Sequence, residues 1–327
     1  MPVMTYIQAI TTALREEMQR DEKVFILGED VGKKGGVFRA TDGLFDEFGE
    51  YRVLDTPLAE SAIAGVGIGA AMYGMRPVAE MQFADFIMPA VNQIISEAAK
   101  MRYRSNNDWS APITIRAPYG GGVHGALYHS QSVEAVFANQ PGLKIVMPST
   151  PYDVKGLLKA AIRDNDPVLF FEHKRAYRLL KGEVPEEDYV LPIGKADVKR
   201  NGDDITVITY GLCVHFALQA AEKLAEDGIE AHVLDLRTVY PLDQEAIIEA
   251  AKKTGKVLLI TEDNKEGSII GEVAAIIAEN CLFDLDAPIQ RLAGPDVPSM
   301  PYAPPMEKYF MMNPDKVEKA MRDLAAY

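Results

Sequence analysis

Leu143-Lys144-Ile145-Val146-Met147, then Tyr152 to Ile162, then Val168-Leu169-Phe170-Phe171 is the stretch that decides the fold class. Two short, nearly continuous apolar runs flank a helix-length segment. Such runs suit strands buried on both faces, and their alternation with helices predicts a mainly parallel sheet covered on both sides. The alternation continues toward the N-terminus. Pro112 to Arg116 and Arg76 to Phe83 read as strands, and Gln131 to Ala138 as a helix. Ile87, Val91, Ile94 or Ile95, Ala98 and Met101 mark one face of a long helix.

At the N-terminus, Thr5 and Gln8 have capping-box spacing, and Ile7, Ile10, Leu14 and Met18 recur at helical intervals. Val24 to Leu27 reads as a buried strand. Gly28 to Gly43 holds five glycines and is a shaped loop. Thr56-Pro57 resembles a helix cap followed by proline at the first helical position. The charge-rich Lys181 to Tyr189, with its proline, is the linker candidate. Beyond it strands at Ile205 to Tyr210, Ala231 to Leu236 and Val257 to Thr261 alternate with helices near Val214 to Asp227, Glu245 to Lys252 and Ser268 to Ala278. The expected division is a domain over 1–185, a linker over 186–200 and a smaller domain over 201–327.

The 327 residues suffice for two cores, and 48% apolar with 25% charged residues is a globular composition. No apolar run reaches membrane-spanning length, and no basic segment precedes an apolar one at the start, so a cytoplasmic location without a membrane is expected. The net charge of -14, from 34 basic and 48 acidic residues, argues against nucleic acid and permits docking of a basic protein module. Cys213 and Cys281 have no CxxC spacing and read as core or subsurface thiols.

Chemistry concentrates in a few places. Asp55-Thr56-Pro57-Leu58-Ala59-Glu60-Ser61 sets one carboxylate at the start of an apolar helix, where Glu60 is either a functional group or a capping one. Gly65-Val66-Gly67-Ile68-Gly69-Ala70 imitates a dinucleotide fingerprint but follows a helical stretch instead of a strand. Close helix packing explains it better. Pro118 to Ser130 is a glycine-dense loop holding His124 and His129, five residues apart and so not a helical metal pair. A histidine there can hydrogen-bond a substrate carboxylate or carbonyl and exchange protons near neutral pH. His173 ends a strand beside Glu172 and is placed to line a cleft. Arg163-Asp164-Asn165-Asp166-Pro167 puts carboxylates at a helix C-terminus, explained by a bound cation or, more simply, by an exposed turn. No GxSxG elbow supports covalent catalysis by the protein.

Taken together, Gly28-Glu29-Asp30-Val31-Gly32, Asp55 to Ser61, His124 to Ser132, Gln140 to Lys144, Pro148 to Pro151, Asp235 to Thr238 and Pro241 to Asp243 strongly resemble the E1 β subunits of 2-oxoacid dehydrogenase complexes. The resemblance runs from about Thr5 to the C-terminus. It implies a fold of two thiamine diphosphate-binding, transketolase-type α/β domains, pyrimidine-binding first. It implies an α2β2 heterotetramer with an E1 α subunit, which holds the diphosphate and Mg2+ through a GDG…N motif that this chain lacks. In that family Glu60 is the catalytic glutamate. It would hydrogen-bond N1′ of the aminopyrimidine in a dry site and favour the imino tautomer, which deprotonates thiazolium C2. His129 would assist acyl transfer to the lipoyl group of E2. Leu58, Gln82 and Phe86 match positions around the aminopyrimidine, Phe86 standing where some relatives carry tyrosine. Ile113 and Ala161 through carbonyls, with Asp164 and Asp166 through side chains, match a structural K+ site. Asp166 replaces the asparagine of some relatives. A surface of the second domain would dock the basic subunit-binding domain of E2. The run His124 to Ser132 with Phe137-Ala138 is more similar to branched-chain 2-oxoacid subunits than to pyruvate ones, and a pyruvate or acetoin dehydrogenase E1 β subunit is the alternative within the family. A nonenzymatic scaffold is the rival of another class.

Overall fold

Thr5 opens the first helix as the spacing predicts. Its hydroxyl accepts from the Gln8 amide at 3.3 Å, and Gln8 Oε1 accepts from the Thr5 amide at 2.8 Å, so both orphan donors are met before helix Tyr6–Arg20. Tyr6, Ile10, Leu14 and Met18 are buried on that helix. They pack on helix Pro151–Arg163, and Lys159 and Arg163 reach back to Glu16 and Glu17 at 2.6 Å each. The computed structural model describes residues 1–327. They form two compact units, 1–119 with 136–193 and 120–135 with 194–327. The division at 193/194 cuts through the expected linker. Lys181–Glu183, inside the linker candidate, instead pairs antiparallel with Val3–Thr5.

Six strands of the first unit run parallel in the order Lys144–Val146, Val168–His173, Thr114–Tyr119, Arg76–Glu80, Val24–Gly28, Val53–Asp55. The stretch 143–171 behaves as read, with Ile145 directly beside Leu169. Two expectations fail. Thr56 does not cap a helix: its amide donates to Gly28 O at 2.9 Å, prolonging the strand ladder, and helix Glu60–Met72 starts four residues later behind an uncapped Ala59. The long helix expected over 87–101 is broken. Pro89 has no amide to donate, and short 3-10 turns Ala84–Phe86 and Met88–Ala90 precede a π-helical stretch Gln93–Ala98 and helix Met101–Arg104.

The second unit has a five-stranded sheet ordered Gln290–Gly294, Val257–Asn264, Ile205–Thr209, Ala231–Asp235, Asp197–Arg200. Only the last strand is antiparallel to its neighbour. Helices Cys213–Ala225, Gln244–Thr254, Ile269–Cys281 and Pro314–Ala325 cover it. Strands Asp197–Arg200 and Gln290–Gly294 and helices Pro304–Phe310 and Pro314–Ala325 were not expected from the sequence. Both cysteines are buried and free, as read.

Candidate active site

In an open parallel sheet, the loops that leave the carboxyl ends of the strands are where side chains converge. Val53–Asp55 and Arg76–Glu80 flank Val24–Gly28 on its two sides. The loop after the first carries Leu58 and Glu60, and the loop after the second carries Gln82 and Phe86. All four residues assigned to the aminopyrimidine therefore leave the same edge of one sheet. Glu60 is the first residue of its helix, where the free amides favour a carboxylate. It is half-buried, and Leu58 beside it is 71% exposed. The dry surroundings expected for Glu60 are thus not supplied by its own unit. Ser61 Oγ donates to Pro89 O at 2.7 Å and fixes the helix start against the 84–90 segment.

Around this edge the charges are organised. Asp55 Oδ1 accepts from the Gly32 amide at 2.6 Å, folding the glycine-rich loop onto the strand end. Burial, then Asp30, then Glu60 push the Glu29 carboxyl up, so Glu29 and Glu60 share one acidic neighbourhood. Beneath them lies a fully buried cluster. Arg116 grips Glu172 with two bonds of 2.6 and 2.7 Å and Glu80 with one of 2.6 Å, while Tyr177 donates to Glu172 at 2.7 Å. Burial raises Glu80, opposed by Arg116. Lys174 lies 3.7 Å from Asp85 and over the Phe83 ring, whose edge meets Phe86 at 5.6 Å. Phe86 is thereby held by a buried ammonium through one intervening ring. Glu29, Arg116 and Lys174 were missed as site residues, although Arg116 in an apolar strand was itself a signal, because buried charges demand partners.

Two buried polar side-chain atoms on these segments, Thr56 Oγ1 and Gln93 Oε1, are left without hydrogen-bond partners. One lies on the segment leading to Glu60. The other belongs to a residue whose Cγ would stand 3.8 Å from a Cβ on Gly65. Within Glu60–Met72 the packing explanation holds for Gly67, where a Cβ would sit 2.7 Å from Ile113 Cδ1. It does not hold for Gly69, which faces open space.

His124 and His129 lie in the second unit, on the loop 120–135. His124 and Ala126 hold φ values of 58° and 54°, a left-handed conformation that costs side-chain-bearing residues energy and clusters at functional sites. His124 Nδ1 is 2.9 Å from Glu307 Oε2, and its ring stacks on Tyr302 at 4.2 Å. His129 is half-buried and rests on Gly125, where a Cβ would come within 2.6 Å of the His129 Cβ. The two histidines thus have separate surroundings. His173, expected near a cleft, is buried and accepts from the Arg175 amide at 3.2 Å.

Around Asp164 and Asp166 the carboxylates are already engaged. Asp164 Oδ2 is 2.6 Å from Lys144 Nζ, and Asp166 Oδ1 accepts from Arg102 Nε at 2.5 Å. The carbonyls of Ile113 and Ala161 accept from Val168 and Asp164 amides at 2.9 and 3.2 Å. Side chains of this set do not fit a K+ ion, because lysine and arginine supply the cations that the helix end attracts. No group of three or more His, Cys, Asp or Glu side chains is arranged for a metal, and no helix is long and apolar enough to cross a membrane.

Comparison with known proteins agrees with this architecture. The transketolase pyrimidine-binding domain matches residues 3–179, and the transketolase C-terminal domain matches 194–317. A 2-oxoisovalerate dehydrogenase subunit β of Bacillus subtilis is 84% identical over 100% of both chains. A pyruvate dehydrogenase E1 component subunit β of the same organism is 53% identical over 90% of this chain and 91% of that one. Among solved structures, a split-gene transketolase described as an inactive β4 tetramer gives a TM-score of 0.80 at 23% identity, covering 99% of this chain and 98% of that one. A transketolase of Pichia stipitis gives 0.68 at 15% identity, covering 100% and 46%. These two structures speak to the fold alone. Identity of 84% over the full length of the first relative, with both transketolase-type domains matched, places the chain in the family of thiamine-diphosphate-dependent 2-oxoacid dehydrogenase E1 β subunits.

Proposed function

We propose that this chain is the β subunit of a branched-chain 2-oxoacid dehydrogenase E1, acting in the cytoplasm, and that it supplies the aminopyrimidine half of a thiamine diphosphate site. The observation that carries this reading is the 84% identity over the whole chain to a 2-oxoisovalerate dehydrogenase subunit, against 53% to the pyruvate subunit of the same organism. When bound, thiamine diphosphate supplies the acidic carbon and the electron sink for decarboxylation. The chain's own residues do the rest. Leu58 and Phe86 would wall the ring, and the Gln82 amide would meet its polar edge. The Glu60 carboxyl would hold a shared proton toward ring nitrogen N1′, a task that requires water to be excluded. His129 moves a proton to a lipoyl sulfur during acyl transfer. An E1 α subunit covers Glu60, brings the diphosphate and Mg2+ sites, and completes an α2β2 assembly that meets the lipoyl and subunit-binding domains of E2.

Branched substrates need an apolar recess deeper than pyruvate does, each added methylene contributing about 0.8 kcal/mol. The reconstituted complex is therefore expected to show kcat/KM for 3-methyl-2-oxobutanoate and 4-methyl-2-oxopentanoate at least roughly tenfold above that for pyruvate. A preference for pyruvate defeats the substrate assignment and leaves the family standing.

A further inference from the structure

The loop that carries both histidines is fastened at its two ends to the same strand. At the leading end the Gly121 amide donates to Glu262 Oε1. At the trailing end Glu134 Oε1 accepts from the Tyr210 hydroxyl at 2.8 Å. Tyr210 Oη lies 2.7 Å from Thr261 Oγ1, which in turn accepts the Asp263 amide at 3.1 Å. With Tyr210 donating to Glu134, Thr261 donates to Tyr210, so the chain has one direction. Glu262, Thr261 and Asp263 are consecutive on strand Val257–Asn264. Glu134, Tyr210 and Thr261 are each at least nineteen-twentieths buried, at 1%, 4% and 1% exposure.

Glu134 is the weak member of this chain. Its second oxygen, Oε2, is buried with no hydrogen-bond partner, which a neutral carboxyl tolerates far better than a carboxylate. The ionisable groups acting on it are Glu262 and Asp263 from the strand and Tyr210, and Glu134 acts in turn on the Cys213 thiol of helix Cys213–Ala225. Burial, then Asp263, push Glu134 up to about 8, and the Tyr210 bond opposes this only in part. Asp263 is itself raised to about 6, chiefly by burial. Ionisation of Glu134 would therefore add a further negative charge to a dry cluster beside Glu262 and Asp263.

We propose that Glu134, Tyr210 and Thr261 form a clasp that positions the 121–134 loop for acyl transfer, and that ionisation of Glu134 releases it. Glu134 is a positioning residue acting through the loop on His129, so the catalytic half of the proposal rests on the role given to His129 above. The clasp itself does not, and the two parts have separate readouts.

The test is hydrogen exchange of the 121–134 amides in the reconstituted heterotetramer at pH 7 and pH 9, corrected for intrinsic base catalysis. Wild type should exchange at least about fivefold faster at pH 9, a local opening. Glu134→Gln, which cannot ionise, should show no such rise. Tyr210→Phe, which removes the middle donor, should exchange fast at both pH values. A flat wild-type response, a rise that survives Glu134→Gln, or a Tyr210→Phe loop as protected as wild type would each overturn the clasp. Should Glu134→Gln not assemble, Tyr210→Phe and the wild-type pH response decide. Acyl transfer to lipoyl, measured in parallel, should fall with the loop opening in wild type and hold in Glu134→Gln. Loop opening without loss of acyl transfer would overturn the positioning role alone.

Discussion

Glu60 begins a helix and is half-buried, while its proposed task of sharing a proton requires water to be excluded. That cover must come from outside its own unit. In a reconstituted heterotetramer Glu60→Gln should assemble and bind cofactor yet lose at least about 10²-fold in C2 proton exchange, the low end for acid–base assistance. Near-normal exchange by NMR would remove Glu60 from the role. His129 is tested at its own position and through its support. His129→Ala should retain more decarboxylation than acyl transfer. Gly125→Ala should do the same without touching the imidazole, because a methyl there meets the His129 Cβ at 2.6 Å and its carbonyl oxygen at 2.8 Å. If Gly125→Ala leaves acyl transfer at the wild-type rate, the packing of His129 on Gly125 has no functional weight.

At the scale of elements, three parallel strands of the first unit are tied laterally by one side chain, Arg116 on Thr114–Tyr119, joining Glu80 of Arg76–Glu80 to Glu172 of Val168–His173. Arg116→Met would leave two buried carboxylates without their cation, and a loss of about 3–5 kcal/mol is expected, read as a lower denaturant midpoint. The carboxyl pair of the second unit sets a pH dependence. Both Asp263 and Glu134 are raised in the folded chain, to about 6 and about 8. Their contribution is therefore complete below the unfolded carboxylate range and is lost as pH rises through 6 and then 8. The melting temperature of the assembled enzyme should fall between pH 7 and pH 9, and fall less in Glu134→Gln. An equal fall in both would show that Glu134 stays ionised throughout. None of this network was legible beforehand, for a definite reason. Tyr210 and Glu134 are 76 residues apart, and Arg116 and Glu172 are 56 apart, so no local pattern joins them. The strands at 144–146 and 168–173 were legible because burial on both faces leaves an apolar run. Asp197–Arg200 was not, because an edge strand with three of its four residues charged carries no such mark. Pro314–Ala325 did carry signals that were passed over: Asn313 as cap, proline at the first position, and Val317, Met321 and Leu324 at helical spacing. Of the site, Glu60, Gln82 and Phe86 became legible through resemblance, since periodicity alone leaves Glu60 as either a cap or a catalyst.

For the whole molecule the question is whether one chain suffices. The outward side of helix Glu60–Met72 shows Ala62, Gly65, Val66 and Gly69 to solvent, next to an exposed Leu58. Two exposed glycines in a helix, Gly69 with open space beside it and Gly65 with only Gln93 Cγ within 4 Å of an added Cβ, cost roughly 0.8–1.0 kcal/mol each relative to alanine, a penalty that the chain alone does not recover. A second backbone approaching closely would recover it, and the proposed α2β2 assembly provides one at the edge where Glu60 needs cover. Two consequences separate this from mere surface tolerance. The purified chain with thiamine diphosphate and Mg2+ should show no 2-oxoacid decarboxylation, and robust activity free of α subunit would overturn the half-site reading. Gly69→Leu should leave the melting temperature of the isolated chain unchanged or higher, because no atom lies within 4 Å of the added Cβ and leucine is the better helix former. The same substitution should weaken assembly with α, seen by sedimentation as a shift from heterotetramer toward free chains. The pairing of outcomes is what tests the idea: a variant stable alone and defective in assembly marks the face as an interface. A variant that assembles as tightly as wild type returns Gly65 and Gly69 to the solvent, and the cover for Glu60 must then come from another surface.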